Sequence, residues 1–164
     1  MSTEDSFIEL IKENKGLIYK VTTLYTNTAV DRQDLYQEIV FQLWKSFETF
    51  RAKSKISTWM YRVALNTAIK HLKTLEKKKS VLQAQDRNVL IEESYDYEYE
   101  TRLRSMYQHI YALNILERGI VLLLLEGKTY NEISQITGLT PTNVSSKLSR
   151  IKQKLKTNMQ KQGL

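Results

Sequence analysis

The sequence predicts an all-α protein of two small helical domains joined by a flexible acidic linker, and three observations lead there. Apolar residues recur at helical spacing through most of the 164 residues, no sustained alternation or Asn-Gly signal argues for strands, and charge falls in blocks. Residues 1–73 carry 11 basic and 8 acidic side chains, residues 74–105 carry 6 and 7, and residues 106–164 carry 8 and 3. The less basic middle separates two basic ends. The expected division is a first domain over 1–75, a linker over 76–101 and a second domain over 102–164.

In the first domain, Phe7, Ile8, Leu10 and Ile11, then Leu17, Ile18, Val21 and Leu24, mark one or two helices interrupted near Gly16. A further helix begins at Asp31, read as its N-cap, and repeats Leu35, Ile39, Leu43 and Phe47 at four-residue spacing. A third runs from about Ser57 to Leu75, with Leu65, Ala68, Ile69 and Leu72 on its apolar side. The expected product is a small bundle.

The stretch after Leu75 opens on the charge run Glu76 to Ser80, and residues 92–100 place five acids in nine positions, so it reads as a solvated linker with partial helix. Beyond it, helices are expected over Arg102–Ala112, Leu116–Glu126, Thr129–Thr137 and Pro141–Met159. Gly127 and Gly138 stand where helix-ending glycines stand, Thr140 supplies an N-cap, and Pro141 takes the first helical position, where its missing N–H costs nothing. A short helix, a glycine turn and a longer capped helix form the helix-turn-helix pattern. In the last helix Val144, Leu148, Ile151 and Leu155 share one face, which turns Thr142, Ser145, Ser146 and Ser149 outward with Lys147, Arg150 and Lys154 beside them. Small hydroxyls let a helix approach base edges in a major groove while the cations reach phosphates. From Thr140 onward there are six Lys or Arg and no acid, in a chain of net charge +7, so the expected partner is a polyanion.

Several classes are excluded. The longest apolar run, Ile120 to Leu125, is far short of the ~20 residues that span a bilayer. The acidic, polar start Met1 to Asp5 is unlike a secretory signal, and there is no cysteine, so a cytoplasmic location is expected, without stable membrane insertion. No glycine-rich phosphate loop, nucleophile elbow or metal-ligand cluster is present, and His71 and His109 lie in different domains. Neither catalysis, nor a metal, nor a cofactor is expected.

Three stretches resemble the extracytoplasmic-function (ECF) type of bacterial RNA polymerase sigma factor, in the sigma-70 family: Asp34-Leu35-Tyr36-Gln37-Glu38-Ile39-Val40-Phe41-Gln42-Leu43-Trp44-Lys45, then Ile56 through Asn66, then Gly127 through Arg150. They stand in the family's order and spacing. The resemblance implies a region 2 domain that docks on the clamp of core RNA polymerase and opens the minus-ten promoter element. It also implies a region 4 domain that reads the minus-thirty-five element, with the polymerase flap and an anti-sigma factor as further partners. An autonomous helix-turn-helix regulator is the alternative, and a protein-only adaptor a third reading. The first fails to explain the two motifs in the N-terminal domain, the second the acid-free basic end.

Residue by residue, the resemblance assigns polymerase docking to Asp34, Gln37 and Glu38, an acidic and amide patch beside the apolar stripe. In the first domain it assigns promoter contacts to Lys53, Ser54, Lys55, Ser57, Thr58, Trp59, Arg62, Asn66, Lys70 and Lys73. Of these, Trp59, Arg62, Asn66, Lys70 and Lys73 form a stripe in which the indole offers a plate for an unpaired base, with cations behind it to hold the strand. In the second domain the assigned set is Thr142, Asn143, Ser145, Ser146, Lys147, Ser149, Arg150 and Lys154. Ser145 departs from the family, which often has a basic residue there.

Overall fold

The computed structural model describes residues 2–50, 54–78 and 105–161. Among them every regular element is an α-helix: α1 (Thr3–Glu13), α2 (Lys15–Tyr25), α3 (Ala29–Phe47), α4 (Ile56–Lys78), α5 (105–111), α6 (Ile115–Leu125), α7 (Tyr130–Thr137) and α8 (Pro141–Lys161). The chain divides into two compact units, residues 1–86 and 87–164. The part of the expected linker beyond residue 78 and the start of the helix expected from Arg102 lie outside the described residues.

In the first unit α4 packs on α2 and α3, and α1 lies against α3. The break between the first two helices falls at Asn14, two residues before the expected Gly16. The Asn14 side chain donates to the carbonyl of Leu10 at 2.8 Å, satisfying an orphan acceptor at the end of α1, so the helix stops there and Gly16 sits inside the first turn of α2. Helix α3 likewise starts earlier than expected. Thr28, not Asp31, is its N-cap, the Thr28 hydroxyl accepting from the Asp31 N–H at 3.1 Å, which leaves the Asp31 carboxylate in the first turn facing the positive end of the helix dipole. Leu35, Ile39 and Leu43 are fully buried against Ile18, Val21, Met60 and Ala64 of the unit's core, each large aliphatic contributing about 1.5–3 kcal/mol. Helix α2 buries Thr22 and Thr23 as well, and its C-cap Thr26 is buried too. Two of them satisfy their hydroxyls on the helix itself, Thr22 donating to the Tyr19 carbonyl and Thr26 to that of Thr22.

The second unit is assembled by caps. Asn114 and Glu117 close a capping box at the start of α6, with the Glu117 N–H donating to the Asn114 side chain at 2.8 Å and the Asn114 N–H to the Glu117 carboxylate at 3.2 Å. Arg118 is buried. Its guanidinium donates to the carbonyls of Tyr111 (3.0 Å) and Leu113 (3.2 Å) and lies 5.4 Å from the Tyr111 ring, so one cation closes the end of α5 onto α6. Helix α6 ends in a Schellman motif, with Gly127 at φ +79°, its N–H donating to Leu124 and that of Lys128 to Leu123. Thr129 and Glu132 form a second capping box, so the expected start Thr129 is the cap and the helix proper begins at Tyr130. Gly138 at φ +81° turns the chain, Thr140 caps α8 through the Asn143 N–H, and Pro141 is its first residue. Ile120, Leu123, Ile133, Val144, Leu148 and Ile151 meet at the centre of the three packed helices.

Candidate nucleic-acid interface and docking face

Helix α8 turns one side inward and one outward. Val144, Leu148 and Ile151 are at most 1% exposed, and Leu155 is half-buried. Thr142, Asn143, Ser145, Ser146, Ser149 and Arg150 are exposed, and Lys147 is half-buried at their edge. The sequence-assigned residues from Thr142 to Arg150 therefore share one surface, and the turn through Gly138 lets α8 pack on α7. From Thr142 to Arg150 that surface carries small hydroxyls and two cations and no acids, which is the chemistry that fits a major groove.

Lys154, expected among the flanking cations, has its Nζ 3.1 and 3.0 Å from the two carboxylate oxygens of Glu117, with its side chain 54% exposed. The fold brings the start of α6 beside the middle of α8, across 37 positions of sequence, and an acid there takes the cation. Lys152 and Lys156 are exposed on the same helix and remain as candidate phosphate partners.

In the first unit Asn66, Lys70 and Lys73 are exposed along α4, and Arg62 is half-buried. Asn66 and Lys70, with Thr67, His71 and Thr74, form one wall of a cleft whose other wall is Glu38 and Gln42 of α3. Lys53 lies outside the described residues, while Ser54 and Ser57 are half-buried and Lys55 is exposed. Trp59 and Thr58 correct the expectation of an open contact surface. The indole is only 7% exposed, with its ring centroid 4.9 Å from Phe50 and 6.3 Å from Phe47, and Thr58 is 1% exposed. Two phenylalanines from the end of α3 and just beyond cover the plate that the stripe seemed to offer. The stripe along α4 thus begins at Arg62.

On α3, Asp34, Gln37 and Glu38 are exposed on a side away from Leu35, Ile39 and Leu43, and the Gln42 amide donates to Glu38 at 3.1 Å. Beside them lies a feature the sequence reading passed over. Phe41 is 53% and Trp44 38% exposed, and with Phe7, Tyr36, Gln37 and Val40 they line an apolar groove between α1 and α3. Phe7 fixes the back of the groove, its ring 5.0 Å from Trp44 and 5.4 Å from Phe47. Tyr36 and Gln37 also border a second groove with Tyr19, Ala29, Arg32 and Gln33. Burial pushes the Tyr36 phenol up from its ordinary range. The available signal was the second apolar row Val40, Phe41 and Trp44, which is surplus to the Leu35, Ile39, Leu43 stripe that fills the core. Such a surplus marks a face awaiting a partner.

Among the described residues no group of three or more His, Asp or Glu side chains could hold a metal, and no helix is long and apolar enough to cross a membrane. His109 is buried and His71 half-buried, each in its own unit.

Two family models match the chain, Sigma-70 region 2 over residues 10–78 and Sigma-70, region 4 over residues 104–155. The ECF RNA polymerase sigma-E factor of Haemophilus influenzae is 27% identical, the match covering 94% of this chain and 88% of that protein. The RNA polymerase sigma factor SigV of Bacillus subtilis is 25% identical over 99% of this chain and 96% of its own length. Among solved structures, the sigma factor RpoE in complex with the anti-sigma factor NepR from Bartonella quintana has the same fold, with a TM-score of 0.78 at 15% identity, covering 94% of this chain and 97% of that one. CnrH in complex with the cytosolic domain of CnrY matches with a TM-score of 0.70 at 16% identity, over 97% and 90%.

Proposed function

The chain belongs to the ECF group of the sigma-70 family and is a transcription initiation factor, and from that premise we propose how its two units divide the task. The second unit reads the minus-thirty-five element through α8. The first unit docks on the clamp of core RNA polymerase through the outer face of α3 and holds the opened minus-ten element along α4. The factor works in the cytoplasm, the second unit also meets the polymerase flap, and an anti-sigma factor restrains it, as NepR is bound to RpoE.

The observation that carries this reading is the outer face of α8. Ser145, Ser146 and Ser149 present small donors and acceptors, Lys147 and Arg150 stand beside them, and the opposite side is locked into the core by Val144, Leu148 and Ile151. A helix so held enters a groove without rearranging, and its cations neutralise phosphates at the flanks. For the docking face, the support is the pairing of an acidic and amide edge, Asp34, Gln37 and Glu38, with the exposed apolar groove at Phe41 and Trp44. A protein partner of basic edge and apolar centre fits it, and DNA does not. For opening, the support is the surface of Asn66, Lys70 and Lys73, with Lys55 ahead of α4. The work is differential binding: the melted strand with polymerase attached is favoured over closed duplex, and no covalent step is involved.

In vitro transcription with core polymerase on a genomic fragment library, with and without the chain, tests the proposal. Discrete new start sites that disappear when residues 140–164 are removed, or when the upstream element is randomised, are expected. Nanomolar sequence-specific binding by the free chain at physiological salt would instead establish an autonomous regulator.

A further inference from the structure

We infer that Lys154 and Glu117 form a clamp that sets the tilt of α8 against α6, making Lys154 a positioning residue rather than a contact to phosphate. The inference deepens the proposed reading of the upstream element by α8 and rests on it.

Helix α8 has 21 residues and is therefore about 31 Å long. Its fully buried anchors, Val144, Leu148 and Ile151, all lie in the first half. A rod seated along half its length resists sliding better than it resists pivoting. Lys154 sits one turn beyond the last fully buried anchor, and its Nζ meets both oxygens of Glu117 at 3.1 and 3.0 Å.

The Glu117 end of the bond is fixed. Its side chain is 7% exposed, and the same Oε1 accepts the Asn114 N–H that closes the capping box of α6, so it cannot follow the cation outward. The Lys154 side chain is 54% exposed, yet leaving would strand a buried carboxylate, and that asymmetry keeps it in place. Without the clamp the rod pivots on its buried anchors, centred near Leu148, and a tilt of 10° moves Ser145 and Ser146, two or three residues away, by about 0.5–0.8 Å, whereas hydrogen bonds to base edges tolerate a few tenths of an ångström. Loss of the clamp therefore blurs the reading of bases and spares the count of phosphate contacts.

The test uses the full chain with core polymerase and a duplex pool randomised over the upstream element, fused to a pre-melted downstream segment, with bound sequences counted. Glu117→Gln keeps an acceptor for the Asn114 N–H but removes the charge, while Lys154→Gln alters an exposed atom and Lys154→Arg keeps the pair. Each Gln variant is expected to flatten the enrichment of preferred sequences by about threefold or more, the double variant no further than either, and the Arg variant hardly at all. The salt dependence of binding by Lys154→Gln should equal that of the parent. The inference is overturned if Lys154→Gln keeps the parent's enrichment while its log–log salt slope falls by about 0.9, the mark of one lost phosphate contact. It is equally overturned if the two substitutions add. A parent chain that enriches nothing overturns the upstream reading itself, an outcome separate from these two.

Discussion

Replacing Trp59 with alanine removes an indole that is 7% exposed and packed at a tilt against Phe50 and Phe47, and the arrangement sets the size of the effect. Truncating a buried tryptophan of this kind costs about 3–5 kcal/mol, the lost transfer energy plus the cavity left behind. For a unit of fewer than about 100 residues each kcal/mol lowers the melting temperature by about 4–8 °C, so a fall on the order of 15–30 °C is expected. Trp59→Phe keeps a ring against Phe50 and should lose well under half of that. The assay is selective, because the chain has two tryptophans and both, Trp44 and Trp59, lie in the first unit. In Trp59→Ala the fluorescence of Trp44 follows that unit alone. Transcription by the variant should fail equally on closed and on pre-melted templates at temperatures where the unit is unfolded. The reasoning is refuted if Trp59→Ala melts within a few degrees of the parent yet loses open-complex formation on duplex DNA and regains it on a pre-melted template. That outcome means the indole swings out to stack on a base.

Gln37→Ala combined with Glu38→Lys should leave helicity and melting temperature nearly unchanged and weaken core polymerase binding, measured by fluorescence anisotropy, because both side chains are exposed away from the buried stripe. Phe41→Ser, in the apolar groove, should weaken the same binding at least as much, and unaltered affinity in either variant refutes the docking face. Arg150→Ala should cost about 1–3 kcal/mol at one or two upstream base pairs if it meets a base edge, or a uniform loss across sequences if it meets phosphate, as competition binding with core polymerase distinguishes. Gly138→Ala should destabilise the second unit by about 1 kcal/mol or more through its positive φ alone, since nothing lies within 4 Å of the added Cβ; an unchanged melting transition contradicts this.

The helix-turn-helix was legible because its determinants are local. Thr140 and Pro141 start α8, Gly127 and Gly138 stop α6 and α7, and the spacing of Val144, Leu148 and Ile151 fixes which side is buried. The boundary at Thr28 was less legible because Thr28 and Asp31 are both good caps, and the sequence does not reveal which of them accepts and which supplies the N–H. The burial of Trp59 was not legible because its cover comes from Phe47 and Phe50, at the end of α3 and just beyond, and helical periodicity within α4 carries no information about those neighbours. The pairing of Lys154 was illegible for the same reason at longer range, its partner Glu117 being invisible to any local pattern. The groove at Phe41 and Trp44 could have been found by asking which apolar residues the core stripe left over.

The two left-handed corners at Gly127 and Gly138 have a consequence for chemical synthesis. Their φ values, +79° and +81°, lie in the left-handed region, which is the relaxed basin for an amino acid of opposite chirality. The glycine Cα carries two hydrogens, and the one a D-residue replaces is the one its mirror stereochemistry would fill in an unstrained backbone. A chain assembled by ligation with D-alanine at both corners keeps the turns and sheds the conformational freedom that glycine gives the unfolded chain, about 0.4–1 kcal/mol per position. L-alanine at the same two places acts in the opposite direction, so a pair of enantiomers separates backbone chirality from side-chain size in the stability of the second unit.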